Sequence, residues 1–382
     1  MRIVQLANLY SPVSGGLRTA VDMLGGGYTE AGHWRALVVP GPSYTRRDTE
    51  SGTVITVPGP SVAPGYRLVL DPRPVLRVLG RLRPDVIEVS DKATLTVAAR
   101  WARRRGVRTV LFSHERLDAI LAPRTPGWVP LEAVTDRWNR RLAASFDAIV
   151  VTSAFAAAEF ARVGAPSLHR VPLGVDLATF RPLPSVDDEA GADVRPVRLV
   201  HLGRLSVEKR PDLAIGAVAE LVRRGVPVRL DVVGDGPCRP RLRAWVDRER
   251  LPVRFHGHVG DRATVARLLA RADVALATCP IESFGLAVLE ALACGTPVVA
   301  ADRGAAHELL APGAGAGVPP RAAAFADGVQ GMLRLPSAHR RAAARERAES
   351  YPWTTTIAGM LDVLAPPTPS RTSSAVAEPN RW

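Results

Sequence analysis

The sequence is poor in several residues that would otherwise steer its reading. Three cysteines occur in 382 residues, Cys238, Cys279 and Cys294. They are odd in number and not at metal-ligand spacing, which excludes a disulfide framework or a cysteine-zinc module and fits a reduced, cytoplasmic compartment. Aromatic residues make up 5% of the chain, too few to interleave with its basic residues as a nucleic-acid platform needs. No run of about 18 uncharged apolar residues exists, so no membrane-spanning helix is expected. The opening MRIVQLANLY lacks the charged-then-apolar layout of a secretory leader. Lysine is almost missing: of 50 basic residues only Lys92 and Lys209 are lysine, and the other 48 are arginine.

What is present is an excess of positive charge. Against 37 acidic residues the net charge is +13. It is unevenly spread, with a net of +9 over residues 1–182 and +4 over the remainder. A basic half-protein points to polyanions: a phosphate-rich substrate, an anionic membrane surface or nucleic acid. A general bias toward Arg, Ala, Gly and Pro accounts for part of the arginine. At 47% hydrophobic and 23% charged the composition is globular, and the length suggests two domains.

Short β-rich runs alternate with helical patterns from the first residue. RIVQL, ALVVP, TVITV, DVIEVS, RTVLFS and DAIVV read as strands, several of them apolar without alternation, as in a parallel sheet covered on both faces. The Pro- and acid-rich stretch RPLPSVDDEAGADVRP, residues 181–196, reads as a linker. The alternation restarts with VRLVHLG, PVRLDVVGDG, VRFHGHV, DVALATC and TPVVAAD. The expected class is therefore α/β with two doubly wound parallel sheets. The boundaries are residues 1–182 and 183–352, followed by a C-terminal helix over 353–365 and a disordered Pro/Ser-rich tail over 366–382.

Several loops carry chemistry. SPVSGG, ending at Gly16, lies between a strand and a helix, where paired glycines let backbone approach an anion at the helix N-terminus. Arg204 and Lys209 follow strand VRLVHLG, at a carboxyl end where open α/β sheets bind ligands, and two cations there can neutralise a diphosphate. In ESFGLAVLE, Glu282 precedes a helix expected to open at Ser283 or Phe284 and close at Gly295, and Glu290 lies within it. Carboxylates can hold hydroxyls, and the free N–H groups of Gly285 and Leu286 can hold phosphate. His114 follows strand RTVLFS, placed to touch a substrate or move a proton. His201, His256 and His258 read as structural, no histidine set has metal spacing, and no Asp-x-Asp pair marks a metal–diphosphate clamp, so no metal and no cofactor are expected.

Taken together, SGGLRTAV, VPLGVDLATFRP, HLGRLSVEKRPDLAI, VVGDGP, FHGHV and ESFGLAVLEALACGTPVVA resemble, in order, the retaining glycosyltransferases of family four. The resemblance reaches to about residue 360 and implies the GT-B fold, two Rossmann-like domains facing across a cleft. It implies that Arg204 and Lys209 bind the donor diphosphate, helped by the Gly16 N–H, and that Glu290 holds the ribose. Glu282 and the backbone at Phe284, Gly285 and Leu286 would hold the sugar hydroxyls, and His114 would touch the transferred sugar. Val259 would contact the nucleotide base through backbone, and Asp261 a guanine edge. A front-side attack, with donor phosphate assisting acceptor deprotonation, is the implied route to retention.

LANLYSPVSGGLRTAVDML, VSDKATL and SHERLDAIL look closest to GDP-mannose-dependent α-mannosyltransferases acting on phosphatidylinositol mannosides. The expected partners are a nucleotide-sugar donor, a lipid acceptor and an anionic membrane surface, the protein being peripheral on its inner face. The basic segments over residues 65–84 and 99–108 are candidates for that surface. A UDP-sugar donor with a soluble acceptor is the nearest alternative. A nucleic-acid-binding protein is a remote one, and an idle nucleotide-sugar-binding subunit is disfavoured because both glutamates and both cations are present.

Overall fold

The computed structural model describes residues 1–11, 15–63, 65–122, 125–126, 128–183 and 195–366. Most of the expected linker, the expected tail beyond Pro366, and part of the loop over residues 122–130 lie outside the described residues.

The strands are β1 (Arg2–Leu6), β2 (Trp34–Gly41), β3 (Thr45–Thr49), β4 (Gly52–Pro58), β5 (Ser61–Ala63), β6 (Tyr66–Arg67), β7 (Val86–Val89), β8 (Arg108–Ser113), β9 (Ala148–Val151) and β10 (Leu168–Arg170). In the second half they are β11 (Val197–Leu202), β12 (Val228–Val233), β13 (Val253–Gly257), β14 (Val274–Ala277), β15 (Val298–Ala301) and β16 (Gly315–Val318). The first sheet has the order β10-β9-β8-β7-β1-β2-β4-β3, and the second β13-β12-β11-β14-β15-β16. Every pairing in them is parallel except β3 with β4.

The burial explains the pattern in the sequence. All four residues of β7, of β9 and of β15 are buried, since helices cover both faces and leave no side for polar alternation. The strands that the apolar runs did not announce are β3, β5, β6, β10 and β16. They are short and polar or glycine-containing, and β3 (TRRDT) is exposed throughout, a charged edge that discourages further pairing.

Each sheet has a point where the strand order reverses. In the first sheet β1 lies between β7 and β2, and in the second β11 lies between β12 and β14. Chain crossovers leave in opposite directions there and open a crevice at the strands' carboxyl ends. The loops after β1, β7, β11 and β14 are thus placed by topology to form a site.

The helix Trp353–Leu364 packs back on the first sheet unit. Arg108 Nε donates to the Val363 carbonyl at 3.1 Å, and Thr356 Oγ1 to the Pro172 carbonyl at 2.9 Å. Gly27 permits the approach on the other side: a Cβ there would lie 2.2 Å from Ile357 Cδ1. No helix among the described residues is long and apolar enough to cross a membrane.

Candidate functional site

The loop after β11 carries Arg204 and Lys209, and backbone packing holds it. Gly234 and Gly236 in VVGDGP have φ of 138° and 159°. A Cβ on Gly234 would lie 2.0 Å from the Gly203 carbonyl oxygen, so only glycine lets the loop after β12 brace the cationic one. Lys209 closes a short 3-10 turn, Val207–Lys209, and its carbonyl accepts from Thr278 Oγ1 at 2.8 Å.

The loop after β14 brings Glu282 to the same place. Lys209 Nζ donates to Glu282 Oε2 at 2.7 Å, with the two side chains 33% and 25% exposed. Burial works against the lysine's charge, but Glu282 outweighs it and the pKa is raised, so Lys209 stays cationic. Glu282 is set by its backbone, whose carbonyl accepts from Ala305 N at 2.6 Å.

The helix carrying Glu290 opens later than the sequence suggested. It spans Leu286–Ala293, with Gly285 before it at φ 105°. The left-handed Gly285 turns the chain sharply, so Ser283 and Phe284 belong to the loop and the helix N-terminus begins at Leu286. Phe284 is buried. Gly16 faces this N-terminus from the first sheet: a Cβ on it would lie 3.6 Å from Leu286 Cδ1, whereas one on Gly15 would meet nothing within 4 Å. Gly15 thus borders open space, and Gly16 lies beside the Leu286 side chain. Glu290 is partly buried, and burial raises its carboxyl to about 7, Arg262 opposing the rise and Asp176 adding to it.

His114 follows β8. Its ring stacks on Phe112 with centroids 6.2 Å apart, and its buried Nδ1 has no hydrogen-bond partner among the described residues. His201 and His256 are tied into the fold, through the Leu276 carbonyl at 2.9 Å and Asp231 Oδ1 at 2.6 Å. Asp261 caps the helix Arg262–Ala270, accepting from Ala263 N and Thr264 N. Its carboxylate is therefore already committed, which leaves only spare lone pairs for a guanine edge; Val259 lies just before it and packs against the core.

The structure adds residues that no motif announced. Tyr66, in the hairpin of β5 and β6, accepts a hydrogen bond from Arg204 Nη2, and the guanidinium lies 5.2 Å from its ring centroid. Ser153 Oγ donates to the Ser283 carbonyl at 2.6 Å. Glu308 accepts from Ala154 N and Phe155 N at 2.9 and 2.8 Å, a carboxylate from the second unit at a helix N-terminus of the first. These pairs are 130 to 154 residues apart, so no local pattern could reveal them. Beside them a cavity of about 680 Å³ is lined from both units by residues including Arg116, Asp118, Phe155, Ile281, Arg303 and His307.

The two basic segments differ in structure. Over residues 99–108, Arg103 donates to the Ala144 carbonyl, Arg105 lies over Trp101, and Arg108 holds the C-terminal helix. Those arginines serve the fold. In the helix Arg73–Leu82, Arg73, Arg77 and Arg81 recur every four residues and are exposed, while Val75, Val78, Leu79 and Leu82 are buried. Leu70, just before this helix, is 58% exposed.

The chain's likeness to known proteins agrees with this geometry. Residues 14–179 match the family described as Glycosyltransferase Family 4, and residues 196–334 that described as Glycosyl transferases group 1. A GDP-mannose-dependent alpha-(1-6)-phosphatidylinositol dimannoside mannosyltransferase of Mycobacterium tuberculosis is 46% identical, over 95% of this chain and 96% of that protein. A GDP-mannose-dependent alpha-(1-6)-phosphatidylinositol monomannoside mannosyltransferase of Mycolicibacterium smegmatis is 31% identical over 65% and 69% of the two. Among solved structures, the sucrose-phosphate synthase of Thermosynechococcus elongatus superposes with a TM-score of 0.79 at 20% identity, covering 95% of this chain and 98% of that one. Anabaena HepE in complex with UDP does so with 0.75 at 21%, covering 95% and 99%. With its two parallel-sheet α/β units, the chain is a glycosyltransferase of the GT-B fold and belongs to family 4.

Proposed function

We propose that this enzyme moves mannose from GDP-mannose to a lipid-linked acceptor of the phosphatidylinositol mannoside type, with retention of configuration. The observation that carries the reading is the spread of the likeness to the tuberculosis mannosyltransferase. It runs through the first sheet unit, which would shape the acceptor pocket, as well as through the donor half.

The site supports the chemistry in a stepwise way. As the bond from the sugar's anomeric carbon to the diphosphate breaks, negative charge gathers on the leaving GDP. Arg204 and Lys209 would stabilise it as fixed cations. Glu282, already bonded to Lys209, has lone pairs left for sugar hydroxyls, so one carboxylate would link the sugar subsite to the phosphate subsite. Glu290 would take the ribose hydroxyls and His114 the transferred sugar. The acceptor hydroxyl attacks the face the diphosphate leaves, and its proton passes to the departing phosphate oxygen. This is a route through an oxocarbenium-like transition state.

The enzyme would work peripherally on the inner face of the cell membrane. The exposed row of Arg73, Arg77 and Arg81 beside Leu70 has the chemistry of an interfacial contact with anionic lipid.

The test is a panel of radiolabelled GDP-mannose, UDP-glucose and UDP-N-acetylglucosamine with phosphatidylinositol mannosides as acceptors. Transfer from GDP-mannose, with an α linkage by NMR, is expected. Transfer from a UDP-sugar and none from GDP-mannose would sink the donor assignment.

A further inference from the structure

Lys92, the other lysine of this arginine-rich chain, lies in the loop after β7, at the reversal point of the first sheet. Its side chain is 11% exposed and forms an ion pair with Glu159, which is fully buried in the helix Ala154–Ala161. Lys92 Nζ also donates to the Glu115 carbonyl and lies 4.9 Å from the Phe160 ring centroid. The other carboxylate oxygen, Glu159 Oε2, accepts from Leu117 N at 3.0 Å and from Asn139 Nδ2 at 3.2 Å. The knot is anchored again where Trp138 Nε1 donates to the Lys92 carbonyl at 2.8 Å.

Two backbone atoms of the loop that follows His114 are therefore tied to one buried ion pair. The helix carrying Glu159 has its other end on the second sheet unit. Its N-cap Ser153 donates to the Ser283 carbonyl, next to Glu282, and its first N–H groups donate to Glu308. A single two-turn helix thus touches the His114 loop through Glu159 and the Glu282 loop through Ser153. We propose that Lys92 and Glu159 are positioning residues for sugar transfer, fixing the His114–Leu117 loop against the helix that sets its distance from Glu282. A buried ion pair contributes little net stability over a neutral replacement, whereas the donor and the acceptor it aims at the loop backbone have no equivalent in an apolar core.

The inference rests on the mannosyl-transfer reading in its kinetic arm only. The test uses the full chain and the double variant Lys92→Met/Glu159→Gln, which removes both buried charges together, with Lys92→Met alone as a second variant. Hydrogen exchange of the peptide spanning residues 114–118 should speed up at least tenfold, while peptides from β7 and β9 keep their protection. In GDP-mannose transfer, kcat should fall about tenfold to a hundredfold with KM for the donor nearly unchanged. His114→Ala should then cost much less in the double-variant background than in the unaltered one, since coupled residues are non-additive. Unchanged exchange in the 114–118 peptide, or an additive cycle with His114, would overturn the positioning role. Absence of transfer by the unaltered chain would count against the donor assignment alone, and the exchange measurement would still decide the inference.

Discussion

Lys209 and Glu282 are 73 residues apart and meet at 2.7 Å. One follows β11 and the other β14, neighbours in the second sheet at the point where its strand order reverses. The pair joins the cation proposed for the diphosphate to the carboxylate proposed for the sugar.

Each member of that pair is partly exposed, and an ion pair of this kind contributes at most about 1 kcal/mol to stability. Lys209→Ala and Glu282→Ala should therefore shift the thermal unfolding midpoint by only a few degrees. Transfer should fall by about a hundredfold to a thousandfold in each, the loss seen when a group that stabilises transition-state charge is removed. Wild-type turnover in both variants would remove the proposed site.

Glu290 gives a pH prediction whose sign can be worked out. Burial raises its carboxyl from 4.5 to about 7, so between those values the folded chain holds a proton that the unfolded chain has released. Its contribution to stability is complete below about 4.5 and is lost as pH rises through about 7. Glu290→Gln cannot ionise. Its ligand-free stability should therefore gain on the unaltered chain from pH 5 to pH 8, by about 2 kcal/mol. Thermal unfolding curves across that range check this, and parallel pH profiles for the two proteins would refute it. If the ribose is held by the ionised carboxylate, GDP should also bind the unaltered chain more tightly at pH 8 than at pH 5.5.

Gly234→Ala should damage the cationic loop without touching a charge. The added Cβ would lie 2.0 Å from the Gly203 carbonyl oxygen, at a φ of 138°. Strain at such a position costs about 1–3 kcal/mol, and relief requires Gly203 and Arg204 to move. The expected outcome is a lowered unfolding midpoint together with weaker GDP binding by calorimetry.

Arg73, Arg77 and Arg81 should govern membrane contact. Replacing all three with Ala should weaken co-sedimentation with phosphatidylserine vesicles on the order of a hundredfold, at about 1 kcal/mol for each basic residue near an anionic surface. Arg73 pairs with the neighbouring Asp71, whereas Arg103 and Arg105 bond to backbone carbonyls off that row, and the same substitutions there should have little effect on vesicle binding. Equal losses from the two sets would show that net charge alone drives the attachment.

Much of the framework of the candidate site is legible in the sequence. The apolar runs marked eleven strands, and HLGRLSVEK with ESFGLAVLE marked the loops that carry Arg204, Lys209 and Glu282 and the helix that carries Glu290. These segments are legible because each performs its role locally: a strand must be apolar to be covered on both faces, and a loop at a strand's carboxyl end must supply its own cation or carboxylate. The start of the Leu286–Ala293 helix was misplaced by two to three residues. Pattern alone cannot separate a glycine that begins a helix from one held left-handed ahead of it. Asp261, read from the resemblance as a contact for a guanine edge, also caps the helix Arg262–Ala270, a local role open to a carboxylate three residues before a backbone N–H.

The sequence by itself determined the class of fold, the two-unit organisation of strands, and the residue types at the proposed donor site, since hydrophobic periodicity and motif spacing act over a few residues. Only the tertiary structure decided what meets between the two units, Tyr66 on Arg204, Glu308 on the helix at Ala154 and Ser153 on Ser283, and within the first unit the Lys92–Glu159 knot behind His114. Each of these joins loops from distant parts of the chain, and the pairing depends on where the sheets reverse their strand order. That reversal is a property of how strands are arranged in space, and no window of sequence contains it. Lys92 was visible as one of only two lysines, yet its partner, a glutamate 67 residues away, became apparent only when β7 and the helix Ala154–Ala161 were brought together.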